Sequence, residues 1–139
     1  MLALAAQEAD IVGILPKALP NGTISEEVTE RLPATMAQKV EWVRQAAGER
    51  FSHLELNMVI SPIFTEHRRQ RAEQLVLERG WSGVAVEQIL EMPSVFIGTP
   101  DQVAEDMQRR REQYGFSYYV VSDALMEEFA PVVSSLAGK

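Results

Sequence analysis

Three short apolar runs, separated by stretches of helical periodicity, constrain this chain more than any other feature. Residues 11–15 (IVGIL), 54–60 (LELNMVI) and 118–121 (YYVV) read as strands, and 95–97 (VFI) as a shorter extended piece. Between the first two, Met36, Val40, Val43 and Ala47 fall on one helical face, opened by a Thr35/Gln38 capping pattern and stopped by Gly48. Alternation of this kind implies parallel βα units. The 11–15 run has the form of a strand buried on both faces, and Pro16 ends it because proline lacks the ladder donor. About three strands are too few to cover both faces of a parallel sheet, so the pattern implies an incomplete architecture.

The other elements follow from their punctuation. Residues 2–9 are rich in Ala and Leu and read as the end of a helix with no N-cap before it. Residues 16–34, marked by Pro16, Pro20, Asn21-Gly22 and Pro33, form a long βα loop excursion with one helical turn near 25–30. A polar, Arg-rich helix is expected over 65–79, stopped by Gly80, and a shorter one over 84–90. Thr99-Pro100-Asp101-Gln102 is a strong helix start, with Thr99 as N-cap, Pro100 at N1 and Gln102 closing a capping box. That helix carries Val103, Met107 and Tyr114 on one face and ends at Gly115; Asp123 is expected to cap a last helix containing Pro131.

With 139 residues, 46% of them hydrophobic and 24% charged, the chain is long enough for one domain, 1–139, with a real core. The net charge of -7 repels phosphate backbones and argues against nucleic acid as a partner. The absence of cysteine removes thiolate chemistry and Cys-ligated metals, and it fits a reducing, cytoplasmic location. Glu8 and Asp10 interrupt the apolar start, so no signal peptide is expected, and no apolar run approaches the ~20 residues of a membrane span.

Few residues stand out as chemistry. His53 and His67 lack metal-ligand spacing, so no metal is expected. Arg68, Arg69 and Arg71, and likewise Arg109, Arg110 and Arg111, are candidate anion binders. They alternate with Glu66, Glu73, Glu78, Glu105 and Glu112, however, which is the pattern of solvated helical faces. Trp42 and Trp81 are read as packing residues, and Ser122-Asp123 as a strand end in which Asp123 caps a helix. No Ser/His/Asp set or paired carboxylates has the spacing of a complete site.

Several segments resemble one family. DIVGI at 10–14, WVRQAAGERF at 42–51 with LEL at 54–56, GTPDQVAE at 98–105, RREQYGFSYYVV at 110–121, FAPVV at 129–133 and LAG at 136–138 are similar to the C-terminal portion of luciferase-like, coenzyme F-420-dependent oxidoreductases. The resemblance implies an α/β fold, part of a (β/α)8 TIM barrel. The strands near Ile11, Leu56 and Tyr119 would be its sixth, seventh and eighth. Barrel enzymes work at the C-terminal ends of their strands, here 15–17, 61–63 and 122–123.

The resemblance also implies what is lacking. The first five strands, which carry most of the ring- and substrate-facing residues, and the Gly-rich phosphate turn that precedes the opening helix have no counterpart in the chain. The parent chemistry would be hydride transfer with coenzyme F-420 or FMN, supplied by the cofactor and positioned by protein. No catalytic residue carries over. Leu15, Pro16 and Lys17 occupy a segment that approaches the cofactor phosphate in relatives, and Lys17 alone offers a charge-assisted donor. The expectation is a fragment inactive on its own that binds little or no cofactor. It would associate with itself or with a complementing barrel half. The alternative is a non-catalytic structural or binding module stabilised by self-association.

Overall fold

The computed structural model describes residues 2–17, 19–23, 25, 27–81 and 83–137. Helix α1 (Leu2–Glu8) leads into β1 (Ile11–Gly13). The loop excursion follows, with a 3-10 turn at Val28–Glu30, and then α2 (Pro33–Ala47). A 3-10 segment, Gly48–His53, precedes β2 (Glu55–Ile60). Next come β3 (Ile63–Phe64), α3 (Arg68–Arg79), α4 (Val86–Glu91) and β4 (Ile97–Gly98). The chain continues through α5 (Pro100–Tyr114), β5 (Phe116–Val121) and a 3-10 turn at Asp123–Leu125 to α6 (Met126–Leu136).

Strands β1, β2 and β5 form one parallel sheet in that order. Because the order never reverses, the crossovers all return on the same side. Val12, Ile14, Leu56, Met58, Ile60 and Phe116 pack under Ala6 of α1, Met36, Val40 and Val43 of α2, Val103 and Met107 of α5 and Val132 of α6. The opposite face is open among the described residues: Ile11 is 49% exposed, Val59 56% and Tyr118 44%. This corrects the expectation that the 11–15 run is covered on both faces. Its alternate residues Ile11 and Leu15 are instead exposed.

A second, two-stranded parallel sheet pairs β3 with β4, Ile63 with Ile97 and Phe64 with Gly98. It has its own core of Ala72, Leu75, Trp81, Ile89, Met92, Val95 and Ile97. The sequence marked 95–97 as extended but gave no partner for it. Arg110 fastens this unit to α5. Its guanidinium is fully buried, donates to the carbonyls of Leu90, Pro93 and Val95, and lies 4.4 Å from the Phe96 ring centroid. Burial pushes its pKa down to about 10, and it stays charged at neutral pH. Asp106, also buried, accepts from Arg68 at 2.5 Å and from Arg109 at 2.8 Å. The 109–111 run is therefore not simply a solvated face, because desolvated carbonyls of a neighbouring connector recruit its middle arginine.

Local boundaries shift for physical reasons. Helix α2 starts at Pro33, whose fixed φ and missing N–H suit the first helical position. Thr35 does not cap it; its hydroxyl donates to the Thr29 carbonyl at 2.6 Å. Helix α3 begins at Arg68 instead of Thr65, because Thr65 extends the small sheet through its N–H to the Gly98 carbonyl. Ser122, not Asp123, caps the turn after β5, accepting from the Ala124 N–H at 3.3 Å. Trp42 is 51% exposed, against its reading as a packing residue, whereas Trp81 is buried. The expected turn near 25–30 is the 3-10 turn at Val28–Glu30; Glu26 and Gly138, which the sequence reading also covered, lie outside the described residues.

Candidate functional site

The C-terminal ends of β1 and β2 open into a continuous trough. Its narrow part, 140 Å³, is lined by Ile14, Leu15, Pro16, Arg31, Met36, Met58, Val59 and Ser94. Its wide part, a 510 Å³ cleft, shares Arg31, Val59 and Ser94 and runs under the small sheet to Ser61, Arg71, Glu78, Arg79, Trp81 and Leu125. The volume is within the range of small-molecule sites.

The entry of the loop excursion is fixed by a charge pair. Lys39 stands on the apolar face of α2 among Met36, Val40 and Val43. Its ammonium donates to the Leu15 carbonyl at 2.7 Å and to Glu30 Oε2 at 3.0 Å. Glu30 Oε2 also accepts the Lys17 backbone N–H at 2.8 Å. The hydrogen bond from Lys39, then that from the Lys17 N–H, holds the Glu30 carboxyl below its ordinary range. Further along, the Ser25 N–H donates to the Lys17 carbonyl at 2.8 Å, and Arg31 donates to the carbonyls of Ser25 and Glu27. The excursion is thus tied back on itself along one rim of the trough.

The sequence-derived candidates fall in different places. Leu15 and Pro16 line the narrow part. Lys17 is exposed and is not among the lining residues. The segment provides no backbone cradle for a phosphate. The Ile14 N–H is in the ladder to Asn57, Pro16 has none, and the Lys17 N–H is held by a carboxylate. An anion at this point meets Glu30, so the residues of 15–17 alone do not fit a cofactor phosphate. Ser122 and Asp123 are occupied in their local turn. His53 and His67 are exposed, and no group of His, Asp and Glu among the described residues could hold a metal ion. No described helix is long and apolar enough to cross a membrane.

Sequence reasoning missed Lys39, Glu30 and Arg31. The signal for Lys39 was a charged residue three positions after Met36 on an otherwise apolar helix face. Arg31 carried no such signal, since its role depends on Trp81, fifty positions away, against whose ring it lies at 5.9 Å.

No protein-family model matches the chain, and no curated protein matches it. Among solved structures, the chain is similar to the long-chain alkane monooxygenase LadA. The TM-score is 0.53 at 15% identity, over 96% of this chain. The chain spans 38% of the length of that structure. At this identity the likeness is one of fold: parallel strands with flanking helices arranged as in part of LadA.

Proposed function

We propose that the chain forms three consecutive βα units of a luciferase-like, flavin- or F-420-dependent oxidoreductase barrel. The carrying observation is that α1, α2, α5 and α6 all pack on one face of the parallel sheet while the other stays open. Doubly wound parallel sheets take helices on both faces, whereas a barrel takes them only outside. On the open face, Gly13, Asn57 and Tyr118 are in register, as are Val59 and Val120. Such rows correspond to the side-chain layers that fill a barrel. The fold likeness to LadA supports the same reading.

In this reading the trough at the strand ends is part of the working face of the barrel. Leu15 and Pro16 give it an apolar wall. The bound cofactor would supply hydride chemistry, and these residues would shape and dry one side of its site. Because Glu30 occupies the Lys17 N–H, the chain alone binds FMN or F-420 weakly or not at all. Fluorescence titration with both cofactors tests this. The expected result is no saturable change at micromolar cofactor. Saturable micromolar binding abolished by Lys17→Ala would contradict the need for further walls. The nucleotide sequence preceding the Met1 codon provides an independent check: coding for further βα units, in frame or frameshifted, supports the barrel reading, and unrelated sequence argues against it.

The open apolar face favours a second reading, a non-catalytic module that covers this face by associating with itself. Ile11, Leu15, Val59, Tyr118 and Val120 are all large, apolar and exposed, and such a patch on a sheet invites association.

A further inference from the structure

Among its described lining residues the wide cleft holds more cations than carboxylates, although the molecule is acidic. The chain carries a net charge of -7, yet the described lining of this cleft contains three guanidinium groups, Arg31, Arg71 and Arg79, and one carboxylate, Glu78. Two of those cations lie near one indole: the Arg31 and Arg79 guanidinium carbons are 5.9 and 5.8 Å from the Trp81 ring centroid. The floor is apolar, built from Trp81, Val95 and Ile97.

Arg71 is the group poised to act. Its side chain is only 26% exposed, so the walls have already removed much of its water. Its two terminal nitrogens both reach a single oxygen of Glu78, each at 3.5 Å. That is the outer limit of hydrogen bonding, and a guanidinium prefers two short, parallel bonds to an oxyanion. The hydroxyl-bearing residues Ser61 and Ser94 line the same cleft.

We propose that this cleft binds an organic anion, a carboxylate or phosphate monoester carried on an apolar body, with Arg71 as the principal anion contact. The anion takes the Arg71 fork that Glu78 engages only loosely. The apolar body lies along Trp81 and the floor, where the low-dielectric walls strengthen the charge contact. The cleft is the wide part of the trough that the barrel reading places on its working face, but the proposal stands without that reading, since every residue invoked belongs to this chain and none to 15–17.

Trp81 is a built-in reporter. The chain has two tryptophans, and Trp42→Phe on the surface of α2 leaves Trp81 as the only one. In this background, octanoate, octyl phosphate, octanol and inorganic phosphate are titrated below any micelle concentration. One or both of the anionic amphiphiles should give a saturable change in Trp81 emission, and comparing the two separates carboxylate from phosphate ester. Octanol and inorganic phosphate should bind more weakly by about tenfold or more, the worth of one charge-assisted contact. Arg71→Gln should weaken the anionic amphiphile by about tenfold without changing octanol, and Glu78→Gln, which removes the competing carboxylate, should tighten it. Octanol binding as tightly as octanoate and octyl phosphate would overturn the proposal. So would inorganic phosphate binding as tightly, a flat response to both amphiphiles, or unchanged affinity in both variants. Absence of FMN or F-420 binding is what the barrel reading expects of the chain alone, and it does not bear on an alkyl carboxylate or alkyl phosphate in this cleft.

Discussion

Lys39→Met is the perturbation whose cost the structure defines most fully. Methionine preserves the apolar stem against Met36 and Val40 but removes the ammonium, which is buried with 11% of the side chain exposed. Two charge-assisted hydrogen bonds disappear, at 2.7 Å to the Leu15 carbonyl and 3.0 Å to Glu30. Each is worth about 1.5–3 kcal/mol, and relief of the ammonium's own desolvation offsets part of the sum. The expected net loss is about 2–3 kcal/mol at neutral pH. There is also a pH signature. Glu30 is lowered from its ordinary 4.5, so its contribution is present above that value and is lost as pH falls through the lowered native pKa. With Lys39 gone, the largest cause of the lowering is gone, and the acid limb of the stability curve flattens. Urea unfolding of wild type, Lys39→Met, Glu30→Gln and the double variant, at fixed protein concentration and at neutral and acid pH, measures both effects. A Lys39→Met variant within about 0.5 kcal/mol of wild type, or a coupling near zero in the cycle, would refute the reasoning.

Three further outcomes follow from individual contacts. The Tyr119 hydroxyl is buried without a hydrogen-bond partner, and burial pushes its pKa up to about 12 from 10.0. Tyr119→Phe should therefore gain up to about 1 kcal/mol. Read by thermal melts across alkaline pH, it should also reduce the loss of stability as pH rises from 10 toward 12, with Tyr114, also raised by burial, keeping its own share. Arg50 donates to the carbonyls of Ala6, Gln7 and Ala9 at the end of α1; Arg50→Ala should cost about 1–2 kcal/mol and speed hydrogen exchange in α1. Gly98 has φ 151°, and a Cβ there would sit 2.4 Å from Gln102 Oε1, which accepts the Thr99 N–H. Gly98→Ala should cost about 2–3 kcal/mol in denaturant unfolding and loosen the start of α5.

The legible parts of this fold were those written in local chemistry. The α5 start was fully readable, because Thr99, Pro100 and Gln102 each act within four residues, and the box forms with Gln102 N–H to Thr99 Oγ1 at 3.3 Å. The three main strands were readable from their apolar runs. What failed was decided at a distance. Whether Ile11 is covered depends on what lies over the sheet, which a period of two cannot say. The pairing of β3 with β4 joins residues thirty-four apart through two-residue strands too short to show alternation. Arg110 reads as surface in its run of charges, and it is buried because the carbonyls of Leu90, Pro93 and Val95 need a donor. In the candidate site, Leu15 and Pro16 were singled out through the family resemblance, and they line the narrow part of the trough. Arg31, Arg71, Arg79 and Trp81 come from elements that meet only in three dimensions.

The central claim is that the open face of β1, β2 and β5 is an interior surface that demands a cover. Sedimentation velocity on wild type and Val59→Lys tests it most directly, since Val59 is 56% exposed on the central strand of that face and a lysine there disfavours covering it. The account predicts that the wild-type chain, at micromolar concentration, sediments as a dimer or larger, and that Val59→Lys, equally folded by circular dichroism, shifts toward the single chain. A folded wild-type monomer with a sedimentation coefficient that Val59→Lys leaves unchanged would contradict it.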